Sequence, residues 1–326
     1  MGRGKAQRSL DLIDAAHEIL EEIQPASVRA VCYQLFNRGL IESMEKKSTN
    51  RVSELLTAAR EDGTIPWEWI VQEGRGIERV STWRDPAAFA RTVMDAYRKD
   101  KWEAQPRRVM VVSEKGTIRG TLEPVLNTYE VDFLPIGGYS SSTRVHDLAS
   151  SVSLEHPLLV CYLGDYDPSG LSMSVQDFPR RLASYANTCT APTREEAREW
   201  DDEWVDDFLA AQGLTFQRIA LTELQCHQIG RRLSFPASDK RGTYEKKGDT
   251  RYPWFVEHYG DTCWELDAMS PVDLRACVET AITAEIEPIV WERYVRAEQV
   301  ERESIETTLT RWNSISGLAS QYEARP

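Results

Sequence analysis

Three carboxylates stand out for their surroundings. Asp165 and Asp167 lie two residues apart in Leu163-Gly164-Asp165-Tyr166-Asp167-Pro168-Ser169-Gly170, and Glu114 follows the aliphatic run Val109-Met110-Val111-Val112-Ser113. Hard oxygen donors of this kind suit Mg²⁺, which takes oxygen ligands in octahedral geometry and keeps some of its water; Mn²⁺ fits the same donors. Each acid sits at the C-terminal end of a buried-strand pattern, the edge of an open α/β sheet where ligands bind. If those strands are neighbours, the three carboxylates converge. Pro168 and Gly170 fit a sharp turn into the next helix. A lone Asp-x-Asp is common, and these acids also read as turn and cap residues with no ion; the glutamate closing an earlier strand makes the combination more specific.

A second constellation lies in Ser27-Val28-Arg29-Ala30-Val31-Cys32-Tyr33-Gln34-Leu35. Val28, Val31, Cys32 and Leu35 recur at i, i+3, i+4 and i+7, the apolar face of a helix that Ser27 caps. Arg29 and Tyr33 fall together at the edge of that face. A guanidinium one turn from a phenol can hold a phosphate beside the hydroxyl or favour the phenolate. Equally, Tyr33 covers a core edge with its hydroxyl in water.

The elements that position these groups follow from periodicity. Leu10, Ile13, Leu20 and Ile23 mark a helix ended by Pro25; the helix of Tyr33 comes next; and Val52, Leu55, Leu56 and Ala59 mark a third, with Lys46 and Lys47 before it and Asn50 and Arg51 opening it. Ile65, Trp67, Trp69 and Val71 alternate as in a short strand or wing. Three helices and a wing read as a winged helix-turn-helix, whose third helix would offer Lys46, Lys47, Asn50 and Arg51 to DNA. Many such modules serve only protein contacts.

Residues 84–105 read as a connecting helix and charged linker. Beyond them, RVMVVSE, VDFLPIGG, PLLVCYLGD and FQRIALT are short aliphatic runs separated by helical stretches, the signature of an α/β domain with a mainly parallel sheet. The expected division is 1–83, 84–105 and 106–326. REEAREWDDEWVDD reads as a solvated insertion helix, and two helices follow Pro271, the first striped by Leu274, Val278 and Ile282.

With 326 residues, 41% hydrophobic and 28% charged, the chain can bury a core of about two domains and is neither disordered nor fibrous. Its six cysteines form no Cys-x-x-Cys pair, and free buried thiols are expected. No apolar run is long enough to cross a bilayer, and the N-terminus lacks a signal-peptide pattern; the expected location is cytoplasmic, with no membrane partner. The net charge of −13 is uneven: residues 1–110 balance at +1, leaving −14 for the rest. An acidic total argues against nucleic acid only on average, because phosphate contacts need no more than a local basic surface.

VVSEK followed by GDYDPSG resembles the Toprim domain of topoisomerases, primases and related nucleases. Preceded by SVRAVCYQLF, it is similar to the A subunit of type IIB topoisomerases (topoisomerase VI) and the related meiotic double-strand-break transesterase, over residues 10 to 290. The resemblance implies an N-terminal winged helix followed by a Toprim domain, a Rossmann-like α/β fold. The family's Arg-Asp-x-Tyr-Tyr motif maps Arg29 and the nucleophile Tyr33 onto this chain, which departs from it at Ala30 and Cys32. Glu114, Asp165 and Asp167 would hold Mg²⁺. Glu265 and Asp267, in WELDAMSP, would stand behind those ligands or cap the next helix. Phosphate contacts could come from Lys115, Arg119, Lys240, Arg241 and Arg251, each of which also reads as plain surface charge.

The implied chemistry is DNA strand cleavage by transesterification to Tyr33, in a homodimer where the tyrosine of one protomer works with the metal of the other, leaving a 5′-phosphotyrosyl end on double-stranded DNA. No GxxxxGK[ST] loop or other nucleotide site occurs, so ATP-driven strand passage would need a separate ATPase subunit. Two other expectations stand beside this one: a hydrolytic Toprim nuclease of the defence type, with water as nucleophile, and a non-catalytic DNA-binding structural protein.

Overall fold

Apolar spacing and caps account for most of the helices in the computed structural model, which describes residues 2–71, 80–136, 142–186, 190–237 and 251–323. Contacts divide the chain into two units, Met1–Glu73 with Val109–Ala284, and Gly74–Arg108 with Glu285–Pro326, a different division from the expected one at 83 and 105.

The first unit begins with α1 (Gly2–Ile23), β1 (Ala26–Ser27), α2 (Val28–Asn37), α3 (Lys46–Glu61) and β2 (Ile70–Val71). The three helices pack on one another around Leu12, Ile19, Leu20, Val31, Leu35, Val52 and Leu56. Ser27 caps α2 as its sequence suggests, its Oγ accepting from Ala30 N at 3.0 Å. Two details differ from expectation. α3 starts at Lys46, so Lys46 and Lys47 form its first turn, because the Glu45 carbonyl already accepts from the Ser48 and Thr49 amides. Trp67–Trp69 winds as a 3₁₀ turn, and only Ile70–Val71 is extended, pairing in parallel with β1.

The rest of this unit is an α/β layer. Its four-stranded parallel sheet runs in the order β4 (Asp132–Pro135), β3 (Arg108–Ser113), β5 (Leu158–Leu163) and β6 (Leu214–Ala220). The first strand of this sheet therefore lies between the second and third, and the chain reverses its winding between β3 and β5, the place where an open sheet offers a crevice. β5 is buried on both faces, as its unbroken aliphatic run requires. The acidic stretch is not a solvated insertion. It folds as α9 (Arg194–Glu199), with a capping box at Thr193, and α10 (Asp202–Ala211), whose Val205 and Leu209 enter the core with Leu182 and Leu214. Its acids occupy the outer face of short amphipathic helices.

The crossover after β5 holds α7 (Pro168–Leu171), a π-helical turn over Ser172–Asp177 and α8 (Phe178–Ser184). α5 (Ile118–Tyr129) follows β3, and α13 (Pro271–Thr283) packs on it with Leu274, Val278 and Ile282 buried. In the second unit, α4 (Pro86–Ala96) packs on α14 (Pro288–Glu323), the second helix expected after Pro271. Four free cysteines are buried, Cys32, Cys161, Cys226 and Cys263, and Cys277 is partly so; Cys189 lies outside the described residues. Among the described residues, no helix is long and apolar enough to cross a membrane.

Candidate active site

The ends of β3 and β5 bring the predicted carboxylates together. Glu114 accepts a hydrogen bond from the Asp165 backbone N–H, and burial, together with the charges of Asp165 and Asp167, pushes its carboxyl up to about 7. Asp167 caps α7, its Oδ1 accepting from Gly170 N at 2.7 Å, and burial raises its carboxyl as well. Asp165 Oδ1 takes the Leu266 amide at 2.7 Å and the Lys115 ammonium at 2.8 Å.

Two glycines make this geometry available. A Cβ on Gly170 would stand 2.3 Å from the Asp165 carbonyl oxygen, and one on Gly164 would stand 2.7 Å from the Tyr162 ring and 3.1 Å from its hydroxyl. The turn therefore folds tightly enough to bring both aspartates to the rim, with the Tyr162 phenol directly beneath.

Arg218 fixes the turn from β6. Its guanidinium donates to the carbonyls of Gly164 (2.8 Å), Gly170 (3.1 Å), Leu221 (2.8 Å) and Asp165, and to Ser174 Oγ (2.6 Å), while lying 5.6 Å from the centre of the Tyr162 ring. Sequence reasoning missed it. The available signal was an arginine inside the otherwise aliphatic FQRIALT, a placement that needs buried acceptors.

Whether these residues fit a divalent ion can be tested on the site itself. Tyr162 is fully buried, and its hydroxyl has no hydrogen-bond partner among the described residues, although it feels the charges of Glu114, Asp165 and Asp167. A buried orphan oxygen beside crowded carboxylates leaves room in the bonding for an ion or its water. The donors are hard oxygens, and burial beside the charges of Asp165 and Asp167 pushes the Glu114 carboxyl up to about 7, so charge and donor chemistry fit. As the side chains stand, no group of three His, Cys, Asp or Glu among the described residues is arranged to hold a metal ion. The carboxylates instead engage Lys115 and the backbone.

Glu265 and Asp267 do not cap the following helix; Ser270 does. They join the tyrosine helix to the acidic rim. Arg29 forms a two-pronged ion pair with Glu265, Ser27 Oγ donates to Asp267 Oδ1 at 2.7 Å, and Lys115 Nζ bridges Asp267 Oδ2 (2.9 Å) and Asp165 Oδ1 (2.8 Å). Burial opposes the charge on Lys115, but the two aspartates outweigh it and hold the ammonium above the ordinary lysine range.

Tyr33 lies on the α2 face turned to this segment. Arg29 stands beside it, with the guanidinium carbon 5.8 Å from the ring centre. The phenol is not at a wet edge: it is 3% exposed, packed with Leu233 and Ala268, and burial with the charge of Glu265 pushes it up to about 12 against the pull of Arg29. The apolar arc of α2 is wider than its sequence implied because Leu233 and Ala268, remote in the chain, complete it.

The other candidates separate by position. Lys46, Lys47, Asn50 and Arg51 are exposed on α3, Arg51 donating to Ser9 Oγ at 3.4 Å. Arg119 is exposed and pairs with Glu123 at 3.6 Å. Arg251 reaches the DPSG turn, donating to Ser169 Oγ at 2.9 Å. Lys240 and Arg241 lie outside the described residues. In the comparisons, no family model matches the chain, and neither a curated protein nor a solved structure matches it.

Proposed function

We propose that the chain is a divalent-metal-dependent enzyme that cleaves phosphodiester strands of DNA at the rim formed by Glu114, Asp165 and Asp167, in a winged-helix and Toprim-like framework. The observation that carries this reading is the convergence of these carboxylates at the β3/β5 reversal, beside a Tyr162 hydroxyl with no hydrogen-bond partner among the described residues, where burial and neighbouring carboxylates push Glu114 and Asp167 up. Bound there, Mg²⁺ would neutralise charge on the displaced oxygen and hold the scissile phosphate. Asp165 and Asp167 are kept in place by the turn that Arg218 pins, so these two carboxylates are held ready before the phosphate arrives. Arg251, at the lip of that turn, and the exposed Lys46, Lys47, Asn50 and Arg51 are the groups offered to the backbone of double-stranded DNA.

In the leading form of the reaction, the Tyr33 oxygen attacks phosphorus. A Tyr–O–P bond forms, the bond to the departing sugar oxygen breaks, and the phenolic proton passes to that oxygen, giving a free hydroxyl end and a 5′-phosphotyrosyl end. A two-fold dimer would place two such centres on one duplex. The second form has water attack in place of the phenol. The burial of Tyr33 favours it, since a phenol pushed up to about 12 is a weak nucleophile at neutral pH.

One assay decides. Supercoiled plasmid is incubated with protein and Mg²⁺ or Mn²⁺, stopped with detergent, and scored for nicks, linear product and covalently attached protein. Attached protein that disappears in Tyr33→Phe supports transesterification. Cutting that survives Tyr33→Phe and disappears in Asp165→Ala supports hydrolysis. Binding without cutting under every condition overturns the enzymatic reading and leaves a DNA-binding structural protein.

A further inference from the structure

Lys115 lies at the junction of two bonded systems that the sequence keeps far apart. On one side its ammonium contacts Asp165 Oδ1 at 2.8 Å, on the oxygen that also takes the Leu266 amide. On the other it contacts Asp267 Oδ2 at 2.9 Å, while Asp267 Oδ1 holds the Ser27 hydroxyl at 2.7 Å. Ser27 is the cap of α2, its Oγ simultaneously accepting from Ala30 N at 3.0 Å. An unbroken run of bonds therefore leads from the acidic rim, through Lys115, Asp267 and Ser27, to the first turn of the helix that carries Tyr33. All of these side chains are buried or partly buried, so solvent screens the run only weakly.

We propose that Lys115 is a positioning residue that reports the charge state of the rim to the tyrosine helix. This inference rests on the reading of the rim as a divalent-cation site. The ammonium is the internal countercharge of Asp165 while no ion is bound. A divalent cation at Asp165 repels it, since like charges a few ångströms apart cannot share one carboxylate without a large Coulomb cost in a partly buried site. Once the ammonium leaves Asp165, the bridge from rim to Asp267 is broken, and α2 keeps the Lys115–Asp267 contact and the Arg29–Glu265 pair as its remaining ties to that side. The first turn of α2 loosens when the rim is loaded, which frees a tyrosine that is otherwise packed shut. Metal-linked release of this kind needs a contact with different partners in the two states, and Lys115, with two carboxylates within 3 Å and Glu265 at 4.0 Å, has alternative partners in reach.

The test measures backbone hydrogen exchange over residues 26–36 of the full chain, with and without Mn²⁺, beside a calorimetric titration of Mn²⁺ under the same conditions. In the unmodified protein the ion is expected to speed exchange at Arg29 to Val31 by about fivefold or more, the lower end of ordinary site-to-site coupling. In Lys115→Met the ion is expected to bind at least as tightly and to leave that exchange rate unchanged. Ser27→Ala, which cuts the run at the helix and leaves the rim intact, is expected to lose the response while keeping ion binding, and it covers the case in which Lys115→Met fails to fold. Binding with no change in exchange, or an equal change in Lys115→Met or Ser27→Ala, overturns the inference and leaves the cation site standing. A titration that shows no binding overturns both.

Discussion

The acidic rim and the α4–α14 unit both contain buried or half-buried ion pairs, and they are built on opposite principles. Among the described residues of the α4–α14 unit, three carboxylates each meet a cation of their own. Lys101 Nζ meets Glu298 at 2.6 Å, Lys99 Nζ meets Glu301 at 2.7 Å, and Arg107 pairs with Glu285. Burial works against Glu298, yet Lys101 and the Lys99 amide hold it below the usual carboxylate range; Lys99 and Tyr97 do the same for Glu301. At the rim, Glu114 and Asp167 are pushed up. Their cationic neighbours are committed elsewhere, Arg218 to backbone carbonyls and Lys115 to Asp165 and Asp267. Matched pairs fasten a helix to its neighbour, whereas unmatched carboxylates held in place at a stability cost signal a site that expects a charge from outside.

The largest expected effect breaks the rim alone. Asp165→Ala lowers plasmid cleavage on the order of a thousandfold, the scale of losing electrostatic stabilisation at a reacting phosphate. Lys101→Met leaves the cleavage rate unchanged in the same assay. For stability the second variant has an effect of its own: Lys101→Met leaves Glu298 without its side-chain cation and costs about 2 kcal/mol in denaturant unfolding. Gly170→Ala touches both quantities. Its Cβ would press on the Asp165 carbonyl, so it destabilises by about 1–3 kcal/mol and weakens Mn²⁺ binding measured by calorimetry.

A further effect is on pH. The Glu114 carboxyl sits at about 7 in the folded chain against 4.5 for the ordinary group, so the folded form retains a proton that the unfolded form has released across that window. Metal-free stability therefore falls as pH rises from 4.5 to 7 and then levels, and Glu114→Gln flattens that fall. For the same reason a divalent ion competes with a proton below pH 7. Its affinity rises by up to about tenfold between pH 6 and 7 and little above pH 8, and Glu114→Gln removes the slope. Titrations at these values check both.

The sheet and its rim were legible because both are written locally. Four aliphatic runs gave four strands, and the acids closing two of them lie together because those strands are neighbours. Capping by Ser27 and the stripe Leu274, Val278 and Ile282 were equally local. What could not be read depended on remote partners. Tyr33 is buried by Leu233 and Ala268, some two hundred residues away in the chain, and no helical wheel contains them. Arg218, Lys115 and Asp267 took their roles from carbonyls and carboxylates that only the folded chain assembles. The acidic stretch misled because charge density hid the sparse Ala197, Val205 and Leu209 that anchor it.

The π-helical turn Ser172–Asp177 interrupts the helix that leads from the rim into the core. A π turn carries about one more residue than an α turn, and here it delivers Ser174 to Arg218 while leaving Phe178 and Leu182 facing the core. Removing a single residue from that turn would let it rewind as ordinary α-helix with Phe178 and Leu182 close to their present facing, because the surplus residue is the one the π turn absorbs. What would change is the local spacing that carries Ser174 to Arg218, so the arginine that clasps the Asp165 turn would lose a ligand. For this chain, then, the surplus residue serves the turn at the rim, and its loss would loosen that turn more than it would unsettle the core.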